Sequence, residues 1–131
     1  MLRRRWLAAA LVGTVASAFG QSWLTPAERP EPLPEEEAFR LDALARDRRT
    51  LLVRVAMPPN YYLYRDKTRF RILEPVGATL RPPRWPTAVA HHDEHFGQVY
   101  VYFDRVEVVL PVRGLGRARQ IELEVQFQGC L

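Results

Sequence analysis

The sequence has 131 residues with 47% apolar residues, one cysteine and a formal charge of +4. That length holds one domain at most, and the apolar share is enough for a core, which excludes wholesale disorder. A single cysteine excludes an internal disulfide, a CxxC redox pair and a cysteine-based zinc knuckle within this chain. Any sulfur chemistry falls to Cys130, the penultimate residue.

The N-terminus reads as an export signal over residues 1–18. Arg3, Arg4 and Arg5 form a basic n-region, Trp6 to Val15 an apolar h-region, and Ala16-Ser17-Ala18 a small-x-small cleavage site. The apolar run is short for a membrane span, so cleavage is favoured over an uncleaved anchor. Setting these residues aside leaves 16 basic and 15 acidic side chains, a net charge of +1. The remaining arginines are spread among acids with no basic stripe, so no nucleic-acid partner is expected. The expected location is the periplasm, an oxidising compartment in which a lone thiol is notable.

Residues 19–34 read as a linker, because Pro26, Pro30, Pro32 and Pro34 are interleaved with Glu and Arg. Glu35-Glu36-Glu37 allows a short helix, but the plainer expectation is a solvated lead-in to the first strand. From Phe39 onward the period is two. Residues 39–44 are read as a strand and 45–49 as a turn.

Further alternating runs follow: Leu51, Val53, Val55 and Met57; Val99, Val101 and Phe103; Val106, Val108, Leu110 and Val112; Ile121, Leu123, Val125 and Phe127. Successive strand side chains point to opposite faces, so each run has one buried and one wet face. In the last run Glu122 and Glu124 fall on the wet face. Pro58-Pro59-Asn60, Pro75-Val76-Gly77, Pro82-Pro83 and Gly114-Leu115-Gly116 punctuate the runs. Short strands between such turns predict an all-β fold, an immunoglobulin-like antiparallel β-sandwich over residues 35–131.

Four stretches stand out for chemistry. In Tyr61-Tyr62-Leu63-Tyr64-Arg65, alternation puts Tyr62 and Tyr64 on one face and Tyr61 and Leu63 on the other. Ordinary strand aromatics would look the same. His91-His92-Asp93-Glu94-His95-Phe96-Gly97 gathers all three histidines beside two acids. Zinc or copper ligation is one reading and a polar surface loop the plainer one. Trp85, between Pro83 and Pro86, is read as covering the edge of a core rather than forming a binding ledge. Gln128-Gly129-Cys130-Leu131 is either an inert thiol or a reactive one at a strand end.

Taken together these stretches resemble the N-terminal periplasmic domain of the DsbD thiol:disulfide interchange family. The resemblance runs from about Pro34 to Cys130. It rests on Tyr61-Tyr62-Leu63-Tyr64-Arg65, on Asp93-Glu94-His95-Phe96-Gly97, and on Gln126-Phe127-Gln128-Gly129-Cys130, in that order. It implies an immunoglobulin-like sandwich that needs no cofactor. Such a domain receives reducing equivalents from the thioredoxin-like domain of a membrane thiol-disulfide transporter. It hands them to periplasmic thioredoxin-like or disulfide isomerase proteins, in the setting of cytochrome c biogenesis.

It implies further that Cys130 is the first of two active cysteines. A loop corresponding to Asp93, Glu94, His95, Phe96 and Gly97 covers them, and Tyr62 and Tyr64 line the same pocket. Two departures from the family pattern stand in the sequence: His95 occupies the usual shielding Phe position, and the sequence stops at Leu131, before a second cysteine and a closing strand. The expectation is therefore a C-terminally incomplete or degenerate domain rather than a working single-cysteine module. Whether it is an enzyme is left open, with a non-catalytic β-sandwich interaction module and a His-loop metal-binding domain as alternatives.

Overall fold

The computed structural model describes the backbone of residues 2–6 and all of residues 32–131. The cleavage site and most of the linker expected over 19–34 lie outside the described residues. Leu2–Trp6, spanning the expected n-region and the first residue of the h-region, forms β1.

The chain then builds α1 (Glu35–Ala38), β2 (Arg40–Asp47), β3 (Thr50–Ala56), β4 (Tyr62–Tyr64), a 3-10 turn (Arg65–Lys67), β5 (Arg69–Glu74) and β6 (Thr79–Leu80). It continues with β7 (Val89–Asp93), β8 (Gly97–Phe103), β9 (Arg105–Arg113), β10 (Glu122–Phe127) and β11 (Gly129–Cys130). The fold is all-β, an immunoglobulin-like sandwich, as expected. The punctuating Pro and Gly stretches all fall between strands.

The strands form three sheets, in the orders β1-β10-β5, β11-β4-β8-β7 and β2-β3-β9-β6. All pairings are antiparallel except β1 on β10, which is parallel. One apolar cluster joins the sheets, drawing on Val53 and Val55 of β3, Val108 and Leu110 of β9, Leu63 of β4 and Val125 of β10. The cleanest alternation belongs to β9, where Val106, Val108, Leu110 and Val112 are buried and Arg105, Glu107 and Arg113 are exposed. Burial of such a run stabilises by roughly 25 cal/mol per Å² of apolar surface.

Four local readings are corrected. The acidic lead-in is a single helical turn, α1, closed by Ala38, which is buried in the core. The strand read as 39–44 runs on to Asp47, because pairing with β3 carries it to the turn at Arg48 and Arg49. In β3 the alternation breaks, since Leu52 is buried alongside Leu51 and Val53. Finally, Glu124 is not on a wet face: its side chain is 4% exposed, and Arg71 Nη2 lies 3.2 Å from its Oε1. Trp85 covers the core edge as expected, stacked on Tyr102 at 5.4 Å and 10° and touching Phe70.

Candidate functional site: the Cys130 pocket

The pocket is built by pleating. In β4, Leu63 points into the main core while Tyr62 and Tyr64 point to the opposite face. There they form a second cluster with Val101, flanked by Val99, Phe103 and Cys130. The faces of Tyr61, Tyr62, Leu63 and Tyr64 are those that the alternation predicts.

Cys130 reaches this face because the chain leaves β10 at Phe127 and changes sheets at Gln128. β11 then pairs with β4, matching Gly129 with Leu63 and Cys130 with Tyr62. Tyr64 N–H donates to the Gln128 carbonyl at 3.0 Å and fixes that crossing. Gly129 is required by a close approach. A Cβ there would stand 2.1 Å from Cζ of Phe39 and 2.9 Å from the Tyr62 carbonyl oxygen. The role of Gly129 is thus to admit the Phe39 ring under β11.

Asp93 closes the pocket from β7. It is 2% exposed, and its Oδ2 accepts from the Tyr62 hydroxyl at 2.5 Å and from the Tyr64 hydroxyl. Its Oδ1 accepts from the backbone N–H of His95 at 2.7 Å and of Phe96 at 3.0 Å. This carboxylate therefore organises the turn and the tyrosines at once. Burial alone would raise its pKa, but the two hydroxyls and the two amides outweigh it and hold the carboxyl down at about 2. The tyrosines move the other way. Burial first, then the Asp93 carboxylate, pushes both phenols far above their usual range, with the Cys130 side chain adding to the push. At neutral pH both hydroxyls are donors and Asp93 is an ionised acceptor.

The remaining expected residues lie in the β7–β8 turn. Glu94 and His95 are exposed at its tip, and Gly97 takes φ +71°, a left-handed value that suits glycine. Phe96, 42% exposed, sets its ring edge-on to Tyr64 at 5.4 Å. Lys67 Nζ lies 3.9 Å from the centroid of the Phe96 ring. His95 is exposed, and its ring lies 6.4 Å from that of Phe96. Phe96, not His95, is the turn's aromatic contact with the pocket.

Cys130 is half-buried, and its Sγ–H faces its own neighbour's carbonyl at Leu131, 3.7 Å away. From the sequence alone His91 stands out only as a possible metal ligand. Its ring lies 4.7 Å from Tyr62 and 5.8 Å from Phe103, as an aromatic wall of the pocket. The signal was available, since His91 and Asp93 share one face of β7. The same alternation turns His92 away, and among the described residues no three of His, Cys, Asp and Glu gather as a metal-ligand set.

A half-buried thiol packed against two tyrosines, whose hydroxyls are held by an ionised carboxylate, fits sulfur exchange at a half-open surface. Comparisons with known proteins point the same way. The family model for the thiol:disulfide interchange protein DsbD, N-terminal, matches residues 29–131. Thiol:disulfide interchange protein DsbD 1 of Pseudomonas aeruginosa is 33% identical over 98 residues, covering 75% of this chain and 16% of that protein. DsbD of Cronobacter sakazakii is 34% identical over 115 residues, covering 88% and 18%. The chain thus spans less than a fifth of the length of these two relatives.

The reduced N-terminal domain of Neisseria meningitidis DsbD superposes with a TM-score of 0.62 at 28% identity, over 75% of each chain. The complex between the DsbD and PilB N-terminal domains of the same organism gives 0.55 at 27% identity, over 68% and 67%. With the family model covering residues 29–131 and the fold shared, this chain belongs to the DsbD N-terminal domain family.

Proposed function

We propose that the chain is a thiol-disulfide interchange domain and that Cys130 is its nucleophile. The carrying observation is the placement of the sole thiol, half-buried, against Tyr62 and Tyr64 with both hydroxyls held by Asp93. In the exchange step the Cys130 thiolate attacks one sulfur of a partner disulfide. A Cys130–partner S–S bond forms, the partner's own S–S bond breaks, and its second sulfur leaves as a thiolate. No net oxidation occurs in that step, because one disulfide replaces another.

A single thiol passes through a mixed disulfide and needs a second thiol from elsewhere to release it. Tyr62, Tyr64, Asp93 and His91 form the wall against which the thiol lies, while Glu94, His95, Phe96 and Gly97 form the covering turn. The partners are a thioredoxin-like donor linked to the membrane and periplasmic thioredoxin-like acceptors, reached after export through residues 1–18. The related complex with a PilB domain supports recognition of a protein partner rather than a small molecule.

The test uses a thioredoxin-like protein whose resolving cysteine is replaced by Ser and whose remaining cysteine carries thionitrobenzoate. Attack by Cys130 releases the coloured thiolate and leaves a covalent heterodimer, seen by mass spectrometry and reversed by dithiothreitol. A chain that stays unmodified while small alkylating reagents reach Cys130 would rule out the reading.

A further inference from the structure

A second concave site lies at the other end of β9. The Cys130 pocket adjoins the Arg105 end through β8, whose Phe103 faces Tyr62 across the sheet. The Arg113 end, eight residues and about 26 Å further along the strand, opens into a cleft of about 930 Å³. Its walls carry Arg46, Arg48, Arg49, Arg81, Arg84 and Arg113, and no acidic residue lines it. All six arginines are exposed, and among the described residues none comes within 4 Å of a carboxylate oxygen, although, after the Arg49 backbone N–H, the Arg46 charge helps to lower the pKa of the neighbouring Asp47. The nearest acid in sequence, Asp47, spends its Oδ1 on the backbone N–H of Arg49 at 2.7 Å.

The frame of the cleft is tied together by hydrogen bonds. Val112 N–H donates to the Arg49 carbonyl at 2.8 Å and ties the β2–β3 turn to β9. Arg81 N–H donates to Pro111 at 2.8 Å, and Arg84 and Val109 exchange backbone bonds at 2.8 and 3.1 Å, which tie the loop after β6 to the same strand. Arg48 Nη1 donates to the carbonyls of Gly116 and Ala118 at 2.9 and 3.0 Å, tying in the turn after β9. Three segments distant in sequence therefore bring six arginines to line one cleft. This corrects the sequence reading of dispersed arginines.

The charge balance sharpens the point. Residues 19–131 hold 16 basic and 15 acidic side chains, so the six in the cleft leave ten basic against fifteen acidic elsewhere. Converging like charges repel, and a bound polyanion relieves that repulsion. A guanidinium fork pairs two oxygens at a time, so one carboxylate satisfies one arginine. A phosphate offers three or four oxygens and up to two charges to several forks together.

We propose that this cleft is a binding site for phosphate groups, taking a ligand with at least two of them close together. A free polyphosphate and neighbouring headgroups of an anionic phospholipid surface both present that chemistry. The site is independent of the thiol reading.

The full chain is titrated with inorganic pyrophosphate by calorimetry and, separately, sedimented with vesicles of phosphatidylglycerol or of phosphatidylcholine alone. Saturable pyrophosphate binding assigns a free ligand. Binding to the phosphatidylglycerol vesicles without pyrophosphate binding assigns a lipid surface. In either arm, Arg49→Glu with Arg84→Glu weakens binding at least about tenfold, and raising sodium chloride from roughly 50 to roughly 300 mM weakens it as well. Arg46→Gln with Arg113→Gln repeats the test without touching the bonded frame, and Cys130→Ser binds as the parent does. No binding in either arm, binding unchanged in both arginine pairs, or binding only to an acidic peptide such as oligoglutamate overturns the proposal.

Discussion

Asp93 couples the pocket to pH. Its carboxyl is held at about 2, below the 3.8 of an unconstrained Asp. A depressed folded-state value contributes stability that is complete above the unfolded value and lost as pH falls through the folded one. The increment is therefore present at pH 4 and above and gone near pH 2. A shift of this size corresponds to about 2 kcal/mol. Asp93→Asn should lose about that much at neutral pH, and its urea midpoints should fall less steeply than the parent's between about pH 4 and about pH 2. Parallel curves for parent and variant would show that the carboxyl of Asp93 is not depressed in the folded state. The phenols add nothing in this window, since their shifts are upward from an already alkaline range.

At the scale of elements, the 3-10 turn Arg65–Lys67 clamps the β7–β8 hairpin with two cations. Arg65 lies 4.5 Å from the Tyr100 ring centroid and Lys67 Nζ 3.9 Å from that of Phe96. An exposed contact of this kind is worth about 0.5–1 kcal/mol, which is roughly a two- to fivefold change in how often a turn opens. Lys67→Gln should speed alkylation of Cys130 by iodoacetamide by that factor with at most a small loss of thermal stability, and Lys67→Arg should not. Equal rates in all three proteins would mean that Phe96 does not govern access to the thiol. The strands that carry this arrangement were legible because their period is two, and so were the opposed faces of Leu63 and its tyrosine neighbours. Lys67 was not, because its partner is 29 positions away and joined to it only through the β4–β8 pairing. Glu124 was misread for a related reason: alternation assigns a face but does not show that Arg71 meets it from the neighbouring strand. The arginine cleft is the extreme case, since β3–β9 register, and no local pattern, brings residues 46–49 to residues 111–113.

At the scale of the molecule, β10 has β5 on one edge and β1 on the other, in register from Leu2 opposite Leu123 to Trp6 opposite Phe127. The export reading assigns these same residues to a leader that is removed. The two statements make a joint prediction about the mature protein. If the leader is cut after Ala18 as the export reading expects, β10 loses its parallel neighbour and its β1-facing edge, from Leu123 to Phe127, becomes a sheet edge. Such an edge takes up another strand readily. It also runs directly into Gln128 and β11, so any strand that docks there sits one sheet crossing from Cys130. A chain beginning at residue 19 should exchange the β1-facing amides of β10 faster than the full-length chain, by at least about tenfold, while the amides paired with β5 stay protected. It should also associate as its concentration rises, and a Val125→Pro substitution, which denies the edge a ladder, is too disruptive in a buried strand to test this. Gln126→Lys is the suitable variant, because Gln126 is only half-buried and a lysine blunts strand addition without removing a core side chain. Monomeric behaviour of the shortened chain at all concentrations, with β10 protected on both edges, would show that some other segment closes the sheet once the leader is gone.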